Sequence, residues 1–167
     1  ETTWQQQIIN ENILQASSTS TANRYARTLR LRLMTLDREC WQLIANGSES
    51  ERLQMLLVAL MIQSPVVAAF IADVVNPARQ QFKEKLGINC WGEFVDENLR
   101  LHPELAAFSD SSIQKMGNNL IKALAEAGYL DSPRRRNLQN VFLLPEVATA
   151  LHRLNKAELL PILEGNV

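Results

Sequence analysis

The chain has 167 residues, 46% of them apolar and 21% charged, with a formal net charge of −1. That length allows one or two small domains with a real apolar core and no need of disulfides or metal. The balanced composition excludes a disordered chain. A basic character spread over the whole molecule is excluded too, so any contact with a polyanion must be local. Cys40 and Cys90 are far apart and flanked by apolar residues. They read as buried thiols of a reducing, cytoplasmic compartment, with a single disulfide as the alternative. No secretory signal is expected, and the start at Glu1 without Met predicts a missing or processed natural N-terminus.

Helical periodicity dominates the chain. Thr3 is the expected cap of a first helix running to about Asn12, with Trp4, Ile8 and Ile9 inward. After the turn "NENILQASSTSTA", a second helix is predicted from Ser20 or Thr21. Ala22, Ala26, Leu29, Leu33 and Leu36 fall on one stripe of it, with Arg24, Arg27 and Thr28 opposite and Arg30 and Arg32 on the flanks. Asn46–Gly47–Ser48 reads as a stop followed by a new cap.

The apolar stretch Leu53 to Val75 is interrupted by Gln63–Ser64–Pro65 and carries Asp73. Each half is short of the roughly 20 residues a membrane span needs. The prediction is two buried helices joined where Ser64 caps and Pro65 opens the next first turn. Asn76–Pro77 predicts a kink or fresh start, and Gly87 the end of that helix. Asn89 is the expected cap of a helix to about Arg100, with Trp91, Phe94 and Leu99 apolar, broken by His102–Pro103.

Ser109, Asp110 and Ser111 are candidate caps of the next helix. Ile113, Met116, Gly117, Leu120, Leu124 and Ala127 share one face of it, and Lys115, Asn118, Asn119, Lys122 and Glu126 the other. Gly128 is its stop. Tyr129–Leu130 and Val141–Leu144 read as two short strands, with Arg134, Arg135 and Arg136 in the loop between them. The tail from Pro145 to Leu163 predicts a final helix or two.

Charge is segregated along this order. Residues 20–40 carry Arg24, Arg27, Arg30, Arg32 and Arg38 against Asp37 and Glu39. Residues 111–140 carry Lys115, Lys122, Arg134, Arg135 and Arg136 against Glu126 and Asp131. The segment between these basic islands is acidic. A helix, a turn and a capped second helix with basic and amide groups outward is the layout of a helix-turn-helix. A basic hairpin after such a helix reads as a wing that grips phosphate or the minor groove. The expected fold is therefore mainly α. It has a helix-turn-helix lobe over 1–47, a helical core or linker over 48–103, and a winged-helix-like lobe with a short β-hairpin over 104–167. Arg24, Arg27, Thr28, Arg30, Lys115, Asn118, Asn119, Lys122, Arg134, Arg135 and Arg136 are the candidate DNA contacts, since Arg suits guanine and phosphate and Asn suits adenine.

Enzyme readings find little. His102 and His152 lack metal-ligand spacing with another ligand. There is no Gly-rich phosphate loop. Asp96 and Glu97 are adjacent on a helix, so their side chains diverge. Neither a catalytic residue nor a cofactor or metal is expected.

The stretches "TANRYARTLRLRL", "HPELAAFSDSSIQKMGNNLIKALAEAGYLDS" and "LLPEVATAL", with the helical middle, resemble the BrxA family of bacterial BREX phage-exclusion systems. The resemblance runs from about Trp4 to Leu154. Its most specific part is Ser112, Asn119, Leu120, Leu124, Glu126, Ala127, Gly128, Tyr129 and Leu130. It implies a non-catalytic binder of double-stranded DNA that works beside a methyltransferase, an ATPase and a phosphatase-like protein. It also implies a further N-terminal segment before Glu1, while the Arg134–Arg136 run is a feature of this chain. The alternative is a protein–protein adaptor within the same complex. RNA binding lacks the exposed aromatic platform it would need.

Overall fold

A computed structural model describes residues 5–99 and 106–165. The expected Thr3 cap, Trp4 and the His102–Pro103 break lie outside these residues. What is described of the first predicted helix is a π-helical turn, Gln6–Asn10, that buries Ile8. Helix α1, Thr19–Leu33, starts slightly earlier than predicted because Ser18 takes the cap. Its Oγ accepts from the Thr21 backbone N–H at 3.2 Å, which satisfies one otherwise orphaned donor of the first turn. Ala22 and Ala26 pack with Ile8 in a small satellite cluster, while Leu33 packs on the main core. The predicted stripe is only partly inward: Leu29 stays exposed, and Leu36 is buried from the turn beyond the helix.

Helix α2, Arg38–Asn46, is capped by the Asp37 carboxylate, which accepts from the Cys40 N–H at 2.9 Å. Gly47 ends it. Ser48 and Glu51 then form a reciprocal capping box that opens α3, Glu49–Gln63. Helix α4, Pro65–Gln80, leaves α3 at a bend of 114°. Pro65 occupies the first turn as expected, but the Ser64 side chain makes no cap hydrogen bond. Among the described residues no single helix is long and apolar enough to cross a membrane. Instead Met55, Val58 and Ala59 of α3 and Phe70, Ile71 and Val75 of α4 lie at the centre of the core, each with no exposed surface.

Of the kink or fresh start predicted at Asn76–Pro77, the fresh start does not occur. A π-helical turn, Ile71–Val75, runs directly into the last turn of α4. Pro77 has no N–H to give, and the wider turn before it absorbs the change of register. Asn76 is buried and donates to the Ile162 carbonyl at 2.8 Å. The predicted end at Gly87 also moves. Helix α4 stops at Gln80, because the Phe82 N–H returns to the Arg79 carbonyl and the Lys83 N–H to that of Ala78, with Phe82 at φ 53°. Residues 84–86 are then free to run alongside 136–138.

Helix α5, Cys90–Asn98, buries Trp91, Phe94 and Val95. Helix α6, Asp110–Glu126, is capped by Ser109 as expected, and Gly128 beyond it sits at φ 85°, a backbone region that costs glycine little. Phe70, Trp91 and Phe94 form an aromatic trio with ring centroids 5.2–5.7 Å apart. The Trp91 indole N–H donates to the Ile113 carbonyl at 2.8 Å and so ties α5 to α6.

The predicted β-hairpin is absent. The described residues contain no strand, only single antiparallel bridges, Leu130 with Leu138 and Lys85 with Asn137. The winged-helix lobe drawn around that hairpin therefore lacks the strands expected of it. The physical reason lies in α3. Gln54, buried, donates to the Phe142 carbonyl at 2.9 Å and accepts from the Leu144 N–H at 3.0 Å. A side-chain amide meets the backbone needs that a partner strand would otherwise meet. Helix α7, Pro145–Arg153, and helix α8, Leu160–Glu164, complete the chain.

Two further contacts fix this tail. The buried Tyr129 hydroxyl donates to the Leu163 carbonyl at 2.9 Å. Arg153 of α7 grips Asp37 with two hydrogen bonds, of 2.6 and 3.1 Å, and reaches Glu39 at 2.7 Å. Arg153 holds the Asp37 carboxyl well below the usual carboxylate range. Cys40 and Cys90 are buried free thiols. Burial, followed by the Asp37 carboxylate, pushes the Cys40 thiol up to about 11.

Two outcomes follow from these contacts. A depressed Asp37 contributes stability that is present above the unfolded carboxylate range, about 3.9, and is lost as pH falls toward the lower folded value. Asn caps a helix as well as Asp does, so Asp37→Asn isolates the charge. Thermal melts should place the variant below wild type at pH 7, by less than about 1 kcal/mol for a pair this exposed. The gap should shrink as pH drops below about 4; an equal gap at pH 3 and pH 7 contradicts the assignment. Gly117 is buried on α6, and a Cβ there would run into the Trp91 indole. Gly117→Ala should cost about 1–3 kcal/mol in urea unfolding, and a neutral result would mean that the α5–α6 seat is loose.

Candidate nucleic-acid interface

Helix α6 owes its orientation to its buried face. Gly117, Leu120, Ile121 and Leu124 are buried, and this turns Lys115, Asn118, Asn119, Lys122 and Glu126 out to solvent. Asn118 accepts from the Gln114 side chain at 3.2 Å, and Lys122 lies 3.7 Å from Glu126 on the same ridge. Both contacts are exposed. They leave the amide and ammonium groups available, because exposed helical pairs are worth only tenths of a kcal/mol.

The predicted contacts of α1 lie on its outer side. Arg24, Arg27, Thr28 and Arg30 are all exposed. The Thr28 hydroxyl donates back to the Arg24 carbonyl at 3.0 Å, and the Arg24 guanidinium stands 5.5 Å from the Tyr25 ring centre. The arginine of α1 that reaches the cleft beside α6 is one that sequence reasoning left on the flank. Arg32 is half-buried, and its Nε donates to the Gln63 side chain at 2.9 Å. With Ser64, Asn119, Lys122 and Glu126 it lines a cleft of about 360 Å3 whose wall includes Trp91 and Met116. Of the first basic island only Arg32 lines this cleft, together with Asn119 and Lys122 of the second; Arg24, Arg27 and Arg30 are not among its lining residues.

A second cleft, of about 340 Å3, flanks the other side of α6. Gln114 and Asn118 line it together with Ile88, Glu93, Asp96 and Arg136. The candidate arginines beyond α6 divide by role. Arg134 is exposed. Arg135 pairs with Asp131 at 2.9 Å yet keeps 72% of its side chain exposed. Arg136 donates to the carbonyls of Gly87 at 3.2 Å, Ile88 at 2.9 Å and Pro133 at 3.2 Å. It is therefore spent largely on holding the 132–136 loop against residues 87–88. The fold also brings Lys83 and Lys85 beside this loop, since the Leu86 N–H donates to the Arg136 carbonyl and the Leu138 N–H to that of Glu84. Sequence reasoning missed both lysines because it ran a helix through them. The exposed Lys-x-Lys spacing of alternating side chains was the available signal.

No group of His, Cys, Asp and Glu that could hold a metal occurs among the described residues. His102 lies outside them, and His152 is exposed on α7.

Comparison with known proteins places the chain. The BrxA family model matches residues 1–155. The chain is 66% identical to the BREX protein BrxA of Escherichia coli O9:H4 (strain HS) over 165 residues, 99% of this chain and 78% of that relative. It is 28% identical to the BREX protein BrxA of Paramagnetospirillum magneticum (strain ATCC 700264 / AMB-1) over 156 residues, 93% of this chain and 78% of that relative. Its fold is similar to the crystal structure of an uncharacterized protein from Magnetospirillum magneticum. The TM-score is 0.86 at 24% identity, with 99% of this chain and 84% of that chain covered. Match over nearly all of the chain, at high identity to a named relative, is decisive: this protein belongs to the BrxA family of BREX proteins.

Proposed function

We propose that the chain is a non-catalytic, double-stranded DNA-binding component of BREX phage defence, acting in the cytoplasm beside the other BREX proteins. The observation that carries the reading is the cleft lined by Arg32 of the first basic island together with Asn119 and Lys122 of the second. A polyanion lying along α6 meets Lys115 and Lys122 on the ridge and the arginines of α1 beside it. The 132–136 loop adds Arg134 and Arg135. Lys122 and Arg135 keep 68% and 72% of their side chains exposed beside Glu126 and Asp131, which leaves them open to counterion exchange with phosphate. Asn118 and Asn119 stand in mid-helix, where amides reach base edges when a helix enters the major groove. Residues 130–138 take the chain position of a wing, with a bridge in place of strands.

The adaptor reading has its own observation. Leu31, Met34 and Trp41 are exposed at the end of α1 and the start of α2, with Met34 at 64%. An apolar group of this kind fits a protein partner such as the methyltransferase, ATPase or phosphatase-like component of the system.

Fluorescence polarisation with a labelled duplex over a salt series separates the two readings. Wild type should bind at low salt with a log–log slope of about −4 to −6. The Lys115→Ala/Lys122→Ala double variant should lose about two units of that slope and bind at least about tenfold more weakly. Absence of binding at low salt, with retained pull-down of a BREX partner, would establish the adaptor instead.

A further inference from the structure

The observation that the function above does not absorb is Phe82. Its side chain is 94% exposed, and its backbone sits at φ 53°. A left-handed conformation is costly for an aromatic residue and is ordinarily given to glycine after a helix. Here it closes α4 through the Phe82 N–H to the Arg79 carbonyl and the Lys83 N–H to the Ala78 carbonyl. A fully exposed ring on a strained backbone gains nothing for the fold from its benzyl group. Strain of this kind, kept where glycine would serve better, points to a use outside the fold.

The surroundings define that use. Leu86 is buried and Leu138 half-buried. Lys85, bridged to Asn137, therefore projects to the outer side, as does Lys83. Arg136 pins the 132–136 loop to Gly87 and Ile88, so Arg134 and Arg135 are carried on the same rigid unit. The acids on this unit are Glu84 and Asp131, of which Asp131 is paired with Arg135. Glu93 and Asp96 line the second cleft together with Ile88 and Arg136. Phe82 is thus an exposed aromatic ring directly before the Lys83–Lys85 segment, on a hydrogen-bonded turn that leads into the residues bridged to the loop of Arg134 and Arg135.

Resting on the DNA-binding reading, we propose that Phe82 is a wedge that enters between base pairs of the bound duplex from a groove while Lys83, Lys85, Arg134 and Arg135 hold the flanking phosphates. One protruding ring amid cations matches the apolar wedges that unstack a base step and bend DNA. A protein partner would call instead for a broader apolar surface than Phe82 and the exposed Ile88 of this unit provide. The ring adds stacking, which is independent of salt, to contacts that are not.

The test uses the whole chain and short duplexes carrying 2-aminopurine, whose fluorescence rises on unstacking. Wild type should raise that fluorescence on binding. Phe82→Gly should melt higher than wild type, by about 3 °C, because glycine relieves the turn. It should nevertheless lose the fluorescence rise and bind about tenfold more weakly, at an unchanged salt slope. Phe82→Leu, an apolar wedge of another shape, should keep part of the signal. Lys83→Ala/Lys85→Ala should instead lower the slope. If wild type binds duplex and Phe82→Gly binds and unstacks it equally well, the wedge is overturned while the DNA reading stands. If wild type binds no duplex, both fall. If Phe82 is needed for sedimentation with phosphatidylserine vesicles and not for duplex binding, the tip is a lipid contact and the wedge is overturned.

Discussion

Everything proposed for the outer face of α6 depends on how its inner face is seated. Gly117 is the smallest residue of the apolar stripe, and the Trp91 ring lies against it. The indole N–H is anchored one turn earlier, on the Ile113 carbonyl. A hydrogen bond and a packing contact on successive turns fix both the rotation and the axial position of α6. With the stripe buried, the amide and lysine ridge has only solvent to face. Trp91 is itself held by Phe70 and Phe94, so the seat is continuous with the centre of the core.

The 114° bend between α3 and α4 has the same consequence at larger scale. It folds a long apolar stretch back on itself, and the resulting core is what α5, α6 and α7 pack against. Buried side chains of the two helices also fasten the later chain to this core: Gln54 meets the Phe142 carbonyl and Leu144 N–H, and Asn76 the Ile162 carbonyl. Helix α1 then crosses α3, and Arg32 reaches the Gln63 side chain just before the bend. That reach brings Arg32 into the cleft that Lys122 also lines.

Local signals were legible in the sequence wherever a single turn of chain decides the outcome. Ser109 and Gly128 bracket α6, Gly47 and Ser48 separate α2 from α3, and the stripe from Ile113 to Leu124 faces inward as its spacing requires. Readings failed where a distant side chain decided. Val141–Leu144 has strand composition, but Gln54, far away in sequence, claims its backbone. Gly87 is a plausible helix stop, yet Phe82 ends the helix first in a conformation that nothing in the residue type announces. The candidate site divides in the same way. The outward ridge of α6 was readable from periodicity. The facing of Arg32 to Lys122, the structural use of Arg136 and the recruitment of Lys83 and Lys85 all arise from tertiary packing.

The central claim is that one duplex occupies both basic islands at once. Chemical footprinting tests it directly: lysine acylation and arginine modification with phenylglyoxal, read residue by residue by mass spectrometry with and without saturating duplex. The account predicts simultaneous protection of Arg24 and Arg27 on α1 and of Lys115 and Lys122 on α6. Protection confined to one island, or to neither, would contradict it.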